Sequence, residues 1–365
     1  MATGMTVAFT TCKTMTSKNK EYRYYVSGNA PASYPTELWH GALYFMPQEA
    51  LAIPKCYPYR GEWGDILSTQ ILTREDYPLP IKIDMTWLSI VEQRFYHLEA
   101  DIPVERLQAV WDQAEPETFS HIVVGMAPFG GLALWSVGED KSILIKWIHA
   151  KPQNVHFKDF KSGDQYTTLQ DYCARYLDAN PLAKENIEKN GLPRPDLYDD
   201  YMKQFTYRYL IELGQWSDNK KEWDKSCENK EEIEEFDSIE EMLFDGTHDK
   251  LHDDGLMNYH QAGKPKKLAV KWHIKKSEYM AYFWFEDEEI CTVFDRFYGA
   301  HPETKTDFMI RIDSEKNKYE LALYRYGLKE PQVISESAYQ LLVFKNKFEY
   351  YRSENYNQPK GAWIW

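Results

Sequence analysis

Sliding the chain against itself by 185 residues brings Tyr22-Arg23-Tyr24 onto Tyr207-Arg208-Tyr209, and Pro80-x-Lys82-x4-Trp87 onto Pro265-x-Lys267-x4-Trp272. Three more blocks follow in the same order. Glu99 meets Glu286 at offset 187, Pro116-Glu117-Thr118 meets Pro302-Glu303-Thr304 at 186, and Leu132-Ala-Leu-Trp135-x-x-Gly138 meets Leu321-Ala-Leu-Tyr324-x-x-Gly327 at 189. Five ordered blocks with so little drift read as one unit of roughly 140 residues written twice. The chain must therefore fold as two similar modules, which rules out most single-core architectures of its length.

Its 365 residues also exceed what one ordinary core accommodates. Phe, Trp and Tyr make up 15% of them, and aromatic side chains suit pleated, half-buried surfaces. In the first copy, residues 22–27, 37–46 and 80–102 alternate as strands. Pro103 then opens a helix that places Val104, Leu107, Val110 and Trp111 on one face. Residues 121–127, 132–137 and 142–148 close the unit as an antiparallel meander. Ile290, Val293, Phe294 and Phe297 give the matching helical stripe in the second copy. The expected fold class is α+β, two tandem modules, each a twisted antiparallel sheet with one packed helix. Residues 1–20 read as a tail or linker, 21–195 as the first module with a connecting helix at 166–176, and 196–365 as the second. The breaker-rich stretch Asn190-Gly-Leu-Pro-Arg-Pro195 marks the joint.

Net charge is −14, from 43 basic and 57 acidic side chains, so phosphate backbones and anionic lipid surfaces repel the chain. Nucleic acid is not an expected partner. No run of 18 apolar residues is present to form a spanning helix, and Cys12, Cys56, Cys173, Cys227 and Cys291 show no disulfide or metal spacing. Residues 5–12, MTVAFTTC, have the shape of a lipoprotein cleavage site ending in Cys12, but they lack a basic region and a full apolar stretch. Lipidation of Cys12 and an ordinary polar tail both remain open.

No catalytic constellation stands out, and no enzyme activity, metal or cofactor is expected. Gly125-Met-Ala-Pro-Phe-Gly130-Gly131 lacks the Lys-Ser/Thr of a phosphate loop, and the matching stretch Asp313-Ser-Glu-Lys-Asn-Lys318 is a charged hairpin tip, so the glycines read as a turn. His248 and His252, four residues apart, would share a helix face, yet the segment is short and lacks the Glu of a zinc protease. Glu99 and Glu286 recur beside apolar strand residues and read as structural carboxylates. The copies differ most in one connection. Copy one carries a Pro-, Tyr- and Trp-rich loop with Tyr57, Tyr59, Arg60 and Trp63, residue types enriched at binding hot spots. Copy two carries what reads as an acidic amphipathic helix: Ser238 and Glu241 as a capping box, Ile239, Met242 and Leu243 as its stripe, and Glu231, Glu232, Glu234, Glu235, Asp237 and Glu240 as a negative face. That face is either simply solvated or a docking surface.

The pattern Asn29-Ala-Pro-x-x-Tyr34-Pro35, Gly61-Glu-Trp-Gly64, Leu79-Pro80-x-x-Ile83-Asp84-x-Thr86-Trp87-x-Ser89-x-x-Glu92-x-x-Phe95-Tyr96 and Val123-Val124-Gly125-x-Ala127-Pro128 resembles a family of uncharacterised bacterial envelope proteins, commonly lipoproteins. Relatives are often encoded beside type VI secretion phospholipase effectors. The resemblance implies a periplasmic immunity protein that binds and neutralises a cognate lipase-like effector, with no catalytic residues to carry over and membrane contact only through a lipid on Cys12. A cytoplasmic location is the alternative. The competing functional reading is an envelope glycan- or ligand-binding module that stacks its ligand on Tyr57, Tyr59 and Trp63.

Overall fold

A computed structural model describes residues 20–55, 58–68, 76–115, 117–161, 168–216, 223–224, 233–252, 258–274, 276–313, 318–346 and 349–354. Its first module contains β1 (Tyr25–Asn29), β2 (Thr36–Met46), β3 (Glu49–Ala52), β4 (Lys82–Ser89), β5 (Arg94–Asp101), α1 (Val104–Gln113), β6 (His121–Met126), β7 (Gly131–Val137), β8 (Ser142–His149) and β9 (Lys151–Gln153). These form two sheets, of strand order β8-β7-β6-β1 and β9-β5-β4-β2-β3. Period-two alternation builds the interface between them. Ile83, Met85 and Trp87 of β4 point inward and meet Ile122, Val124, Met126, Leu132 and Leu134 of the facing sheet, while α1 adds Leu107. Each module is thus a pair of packed sheets with a helix, where the sequence suggested one sheet and a helix.

The sheets are not wholly antiparallel either. β1 runs parallel to β6, with Tyr25 opposite His121. The whole β2–α1 segment is the crossover that such a pairing requires.

Short helices α2 (Phe157–Phe160), α3 (Leu169–Asp178), α4 (Pro181–Asn190) and α5 (Leu197–Tyr201) lead to the second module. The helix expected at 166–176 is α3, capped by the Thr168 hydroxyl, which accepts from the Asp171 amide at 3.1 Å. The second module comprises β10 (Phe205–Leu213), β11 (Ile233–Leu243), β12 (His248–Leu251), β13 (His260–Ala262), β14 (Pro265–Ile274), β15 (Ser277–Phe285), α6 (Asp287–Tyr298), β16 (Thr306–Asp313), β17 (Lys318–Tyr324), β18 (Gln332–Val333), β19 (Tyr339–Lys345) and β20 (Glu349–Glu354). Its sheets run β13-β10-β16-β17-β18 and β12-β11-β14-β15-β19-β20. No helix among the described residues is long and apolar enough to cross a membrane.

The connections of the first module recur in the second. β10 pairs parallel with β16, which pairs antiparallel with β17. β14 lies between β11 and β15, as β4 lies between β2 and β5. Trp87 and Trp272 occupy these central strands and are fully buried, and each faces a Tyr across the hairpin, Tyr96 and Tyr279 respectively. Even the irregularities agree. β2 bulges at Trp39, between the Leu38–Trp87 and His40–Thr86 pairs, and β11 bulges at Asp237, between Phe236–Trp272 and Ser238–Lys271.

One sequence correspondence fails against this register. Glu99 faces Asp84 in β5, and the matching place opposite Ala269 belongs to Tyr282. Glu286 instead precedes the first turn of α6. Paired residues of the second hairpin are two positions closer in sequence than those of the first, as Ala269–Tyr282 against Asp84–Glu99 shows, so matching the two glutamates by letter crosses from a strand to a helix end.

Candidate functional site: a carboxylate-lined cleft between the modules

The loop after β3 takes part in joining the modules. Tyr59 exchanges backbone hydrogen bonds with Thr36 of β2. The Asn29 amide nitrogen donates to the carbonyls of Glu62 and Asp65 at 2.7 and 2.8 Å, which pins the turn that carries Trp63. Gly64 has φ +93°, and a Cβ there would lie 2.1 Å from the Gly246 carbonyl oxygen, so the two modules touch backbone to backbone. Trp63 inserts into this seam with its ring edge-on to Trp135 at 4.8 Å and to Tyr198 at 5.3 Å. The Trp135 indole donates to the Asp245 carbonyl at 3.1 Å. The Ser142 hydroxyl donates to the Gly246 carbonyl and accepts from the His248 amide.

The proposed hot-spot loop is therefore corrected. Tyr59 is wholly buried against Gly28, Trp63 is 9% exposed, and Arg60 alone of the described members is exposed. Tyr57 lies outside the described residues. Aromatic anchors and core aromatics share one composition, and only tertiary context separates them.

The acidic helix is corrected too. Its residues from Ile233 form β11, an eleven-residue strand paired on both sides. Ser238 and Glu241 are buried strand positions and not a capping box. Helical spacing of Ile239, Met242 and Leu243 gave way to cross-strand packing, because propensity is weak beside tertiary context. Asp237 is half-buried and paired with Lys271 at 3.2 Å and His273 at 3.5 Å, while exposed Glu240 faces Lys250 at 3.4 Å. Glu231 and Glu232 lie outside the described residues, and Glu234 and Glu235 belong to the backbone of β11. His248 also sits in a strand, where four residues along the chain span about 13 Å, so it and His252 cannot share an ion.

β11 and β12 form one wall of a cleft of about 420 Å³, and the hairpin tip Gly138-Glu139-Asp140 of the first module forms the other. Asp65, Glu139, Asp140, Glu240 and Asp249 line it, with Lys250 and Lys267 as the opposing cations. Glu139, Asp140 and Glu240 are exposed. Burial raises the Asp65 carboxyl to about 6, with Glu62 adding to the rise. Burial raises Glu241 to about 8 despite the Tyr209 hydroxyl that donates to it at 2.6 Å. Burial also pulls Lys267 below its ordinary value, with its ammonium over the Tyr282 and Trp284 rings. The cleft thus has a partly apolar floor, in which Glu241 holds its proton at neutral pH, under a negative rim. Asp65, Glu139, Asp140, Asp249, Lys250 and Lys267 were not legible as a site, because their proximity depends on how the modules dock.

Of the motif residues noted in the sequence, Glu92 has a clear structural role. It accepts from Ser89, Tyr96 and the Phe129 amide at 2.7, 2.6 and 3.0 Å, tying the β4–β5 turn to the Pro128–Gly130 turn. No curated protein and no solved structure matches the chain. A family model does match residues 10–194, spanning the first module and α2 to α4. On that match, which takes in half of the sequence, the chain belongs to the family described as Protein of unknown function (DUF2931).

Proposed function

We propose that this protein is a non-enzymatic envelope protein that binds and neutralises a cognate lipase-like effector, and that the cleft between its modules is where the effector docks. The observation that carries this reading is the cleft itself: an exposed rim of Glu139, Asp140 and Glu240 over a floor with neutral Glu241. Such a rim attracts a basic protein surface and speeds encounter, and the partly apolar floor offers area to desolvate. The net charge of −14 acts in the same direction at longer range. Immunity, the envelope location and the secretion-system context rest on the family resemblance. A tandem duplication followed by divergence accounts for the shared connections and the shared bulge. The glycan-binding alternative is weaker, because Tyr59 and Trp63 of its stacking platform face the interior.

The test is co-expression and purification with the effector encoded next to this chain, followed by binding kinetics. Wild type is expected to form a complex whose association slows as salt rises. The double variant Asp140→Lys, Glu240→Lys is expected to associate on the order of tenfold more slowly, with a flatter salt dependence and little change in dissociation. Absence of a complex, or unchanged kinetics in the variant, would sink the reading.

A further inference from the structure

On the outer face of the first module, three strands bring together side chains that no sequence motif connects. His40 of β2, Asp84 of β4 and His97 of β5 each offer one ligand atom, and these atoms all lie within 4.8 Å of one another. Asp84 Oδ1 is 4.0 Å from His40 Nε2 and 3.9 Å from His97 Nδ1. Those separations are too long for hydrogen bonds. Asp84 Oδ1 is buried and has no hydrogen-bond partner among the described residues. An unpaired buried carboxylate oxygen is costly, and this one stands beside the two imidazoles.

The Thr86 hydroxyl bonds the imidazoles and Gln153 and leaves Asp84 Oδ1 unpaired. Its oxygen lies 3.3 Å from His40 Nε2, 3.0 Å from His97 Nδ1 and 3.4 Å from Gln153 Oε1. One O–H serves one acceptor at a time. In the tautomers that leave both of these nitrogens unprotonated, two imidazole lone pairs and the carboxylate oxygen converge within 4.8 Å, which is the electrostatic condition for a cation.

We propose that His40, His97 and Asp84 bind a divalent transition metal, with zinc the best fit. Two imidazoles and one carboxylate are a zinc donor set, whereas magnesium and calcium favour all-oxygen shells. Tetrahedral ligands at zinc distances stand about 3.3 Å apart, so each His–Asp pair closes by roughly half an ångström on binding. Three protein ligands leave a fourth position open, and the side chains are 31 to 52% exposed, so water can occupy it.

The second module provides an internal control. Register and the shared bulge put Ser238 where His40 stands, Ala269 where Asp84 stands and Met280 where His97 stands. The fold is thus built without any of the three ligands in one of its two copies, so the cluster is not a requirement of the architecture.

The experiment is titration calorimetry of the untagged full chain, stripped with a chelator, against Zn²⁺, with Mg²⁺ and Ca²⁺ run in parallel. Wild type is expected to bind one Zn²⁺ and neither of the others, and its melting temperature is expected to rise with Zn²⁺. His40→Ala and His97→Ala are each expected to lose tenfold or more in Zn²⁺ affinity. Without metal they should melt like the wild type, as the second module's composition at these positions implies. Absence of Zn²⁺ binding by the wild type, or Zn²⁺ binding at wild-type affinity by both variants, overturns the proposal.

Discussion

Glu241 shows how a single buried carboxyl couples the cleft to pH. The residue is 4% exposed, and burial raises its pKa to about 8 from an ordinary 4.5. A folded-state pKa above the unfolded one means that the native state holds the proton longer, so its contribution to stability is complete below about 4.5 and is lost as pH climbs through about 8. Asp65 acts in the same sense over a lower window, from 3.8 to about 6. Glu241→Gln keeps the shape and the hydrogen bond from Tyr209 while removing the ionisation. The variant is expected to match the wild type at pH 5 and to exceed it by a few kcal/mol at pH 9, by urea denaturation at both values. Parallel pH profiles would show that the carboxyl ionises freely in the folded state.

At the scale of elements, what the sequence revealed depended on how many structures share a pattern. The α1 stripe was legible because Val104, Leu107, Val110 and Trp111 suit a helix alone, and Leu107 is indeed wholly buried. The Ile239, Met242 and Leu243 spacing is helical, but in β11 Ile239 and Leu243 share one buried face with Glu241 while Met242 lies on the other, and partner strands on either side decided for the strand. The metal-ligand cluster was invisible because His40, Asp84 and His97 meet only through strand register. The loop that carries Trp63 was read from composition as a surface, but its glycines held the better clue. Gly64, at positive φ and pressed on the Gly246 carbonyl, has no room for a side chain. Gly64→Ala is therefore expected to cost about 3 kcal/mol through backbone strain and a forced separation of the seam. A denaturation midpoint equal to that of the wild type would mean that the seam is looser than the packing implies.

The two modules repeat their connections, yet the core of the second does not stop at the seam but continues into the first. β7 is buried on both faces: Leu132 and Leu134 belong to the core of the first module, while Ala133, Trp135 and Val137 join a cluster that continues into Phe244, Tyr207 and Trp272 of the second. Buried on both sides, a strand reads as a continuous apolar run, and Leu132-Ala-Leu-Trp135 is such a run. Repeat offsets in the sequence predicted two units but carried no information on this shared cluster, since the contacts that build it link unlike positions of the copies. Cooperativity should follow the cluster and not the repeat. Wild type is expected to unfold in urea as one transition, with tryptophan fluorescence and far-ultraviolet circular dichroism coincident. Trp63→Ala removes the ring that bridges Trp135 and Tyr198, at a cost on the order of 3 to 5 kcal/mol, and is expected to uncouple the modules into two transitions. Two transitions already present in the wild type would show that the modules fold independently, and the seam would then be a contact between finished domains rather than part of a common core.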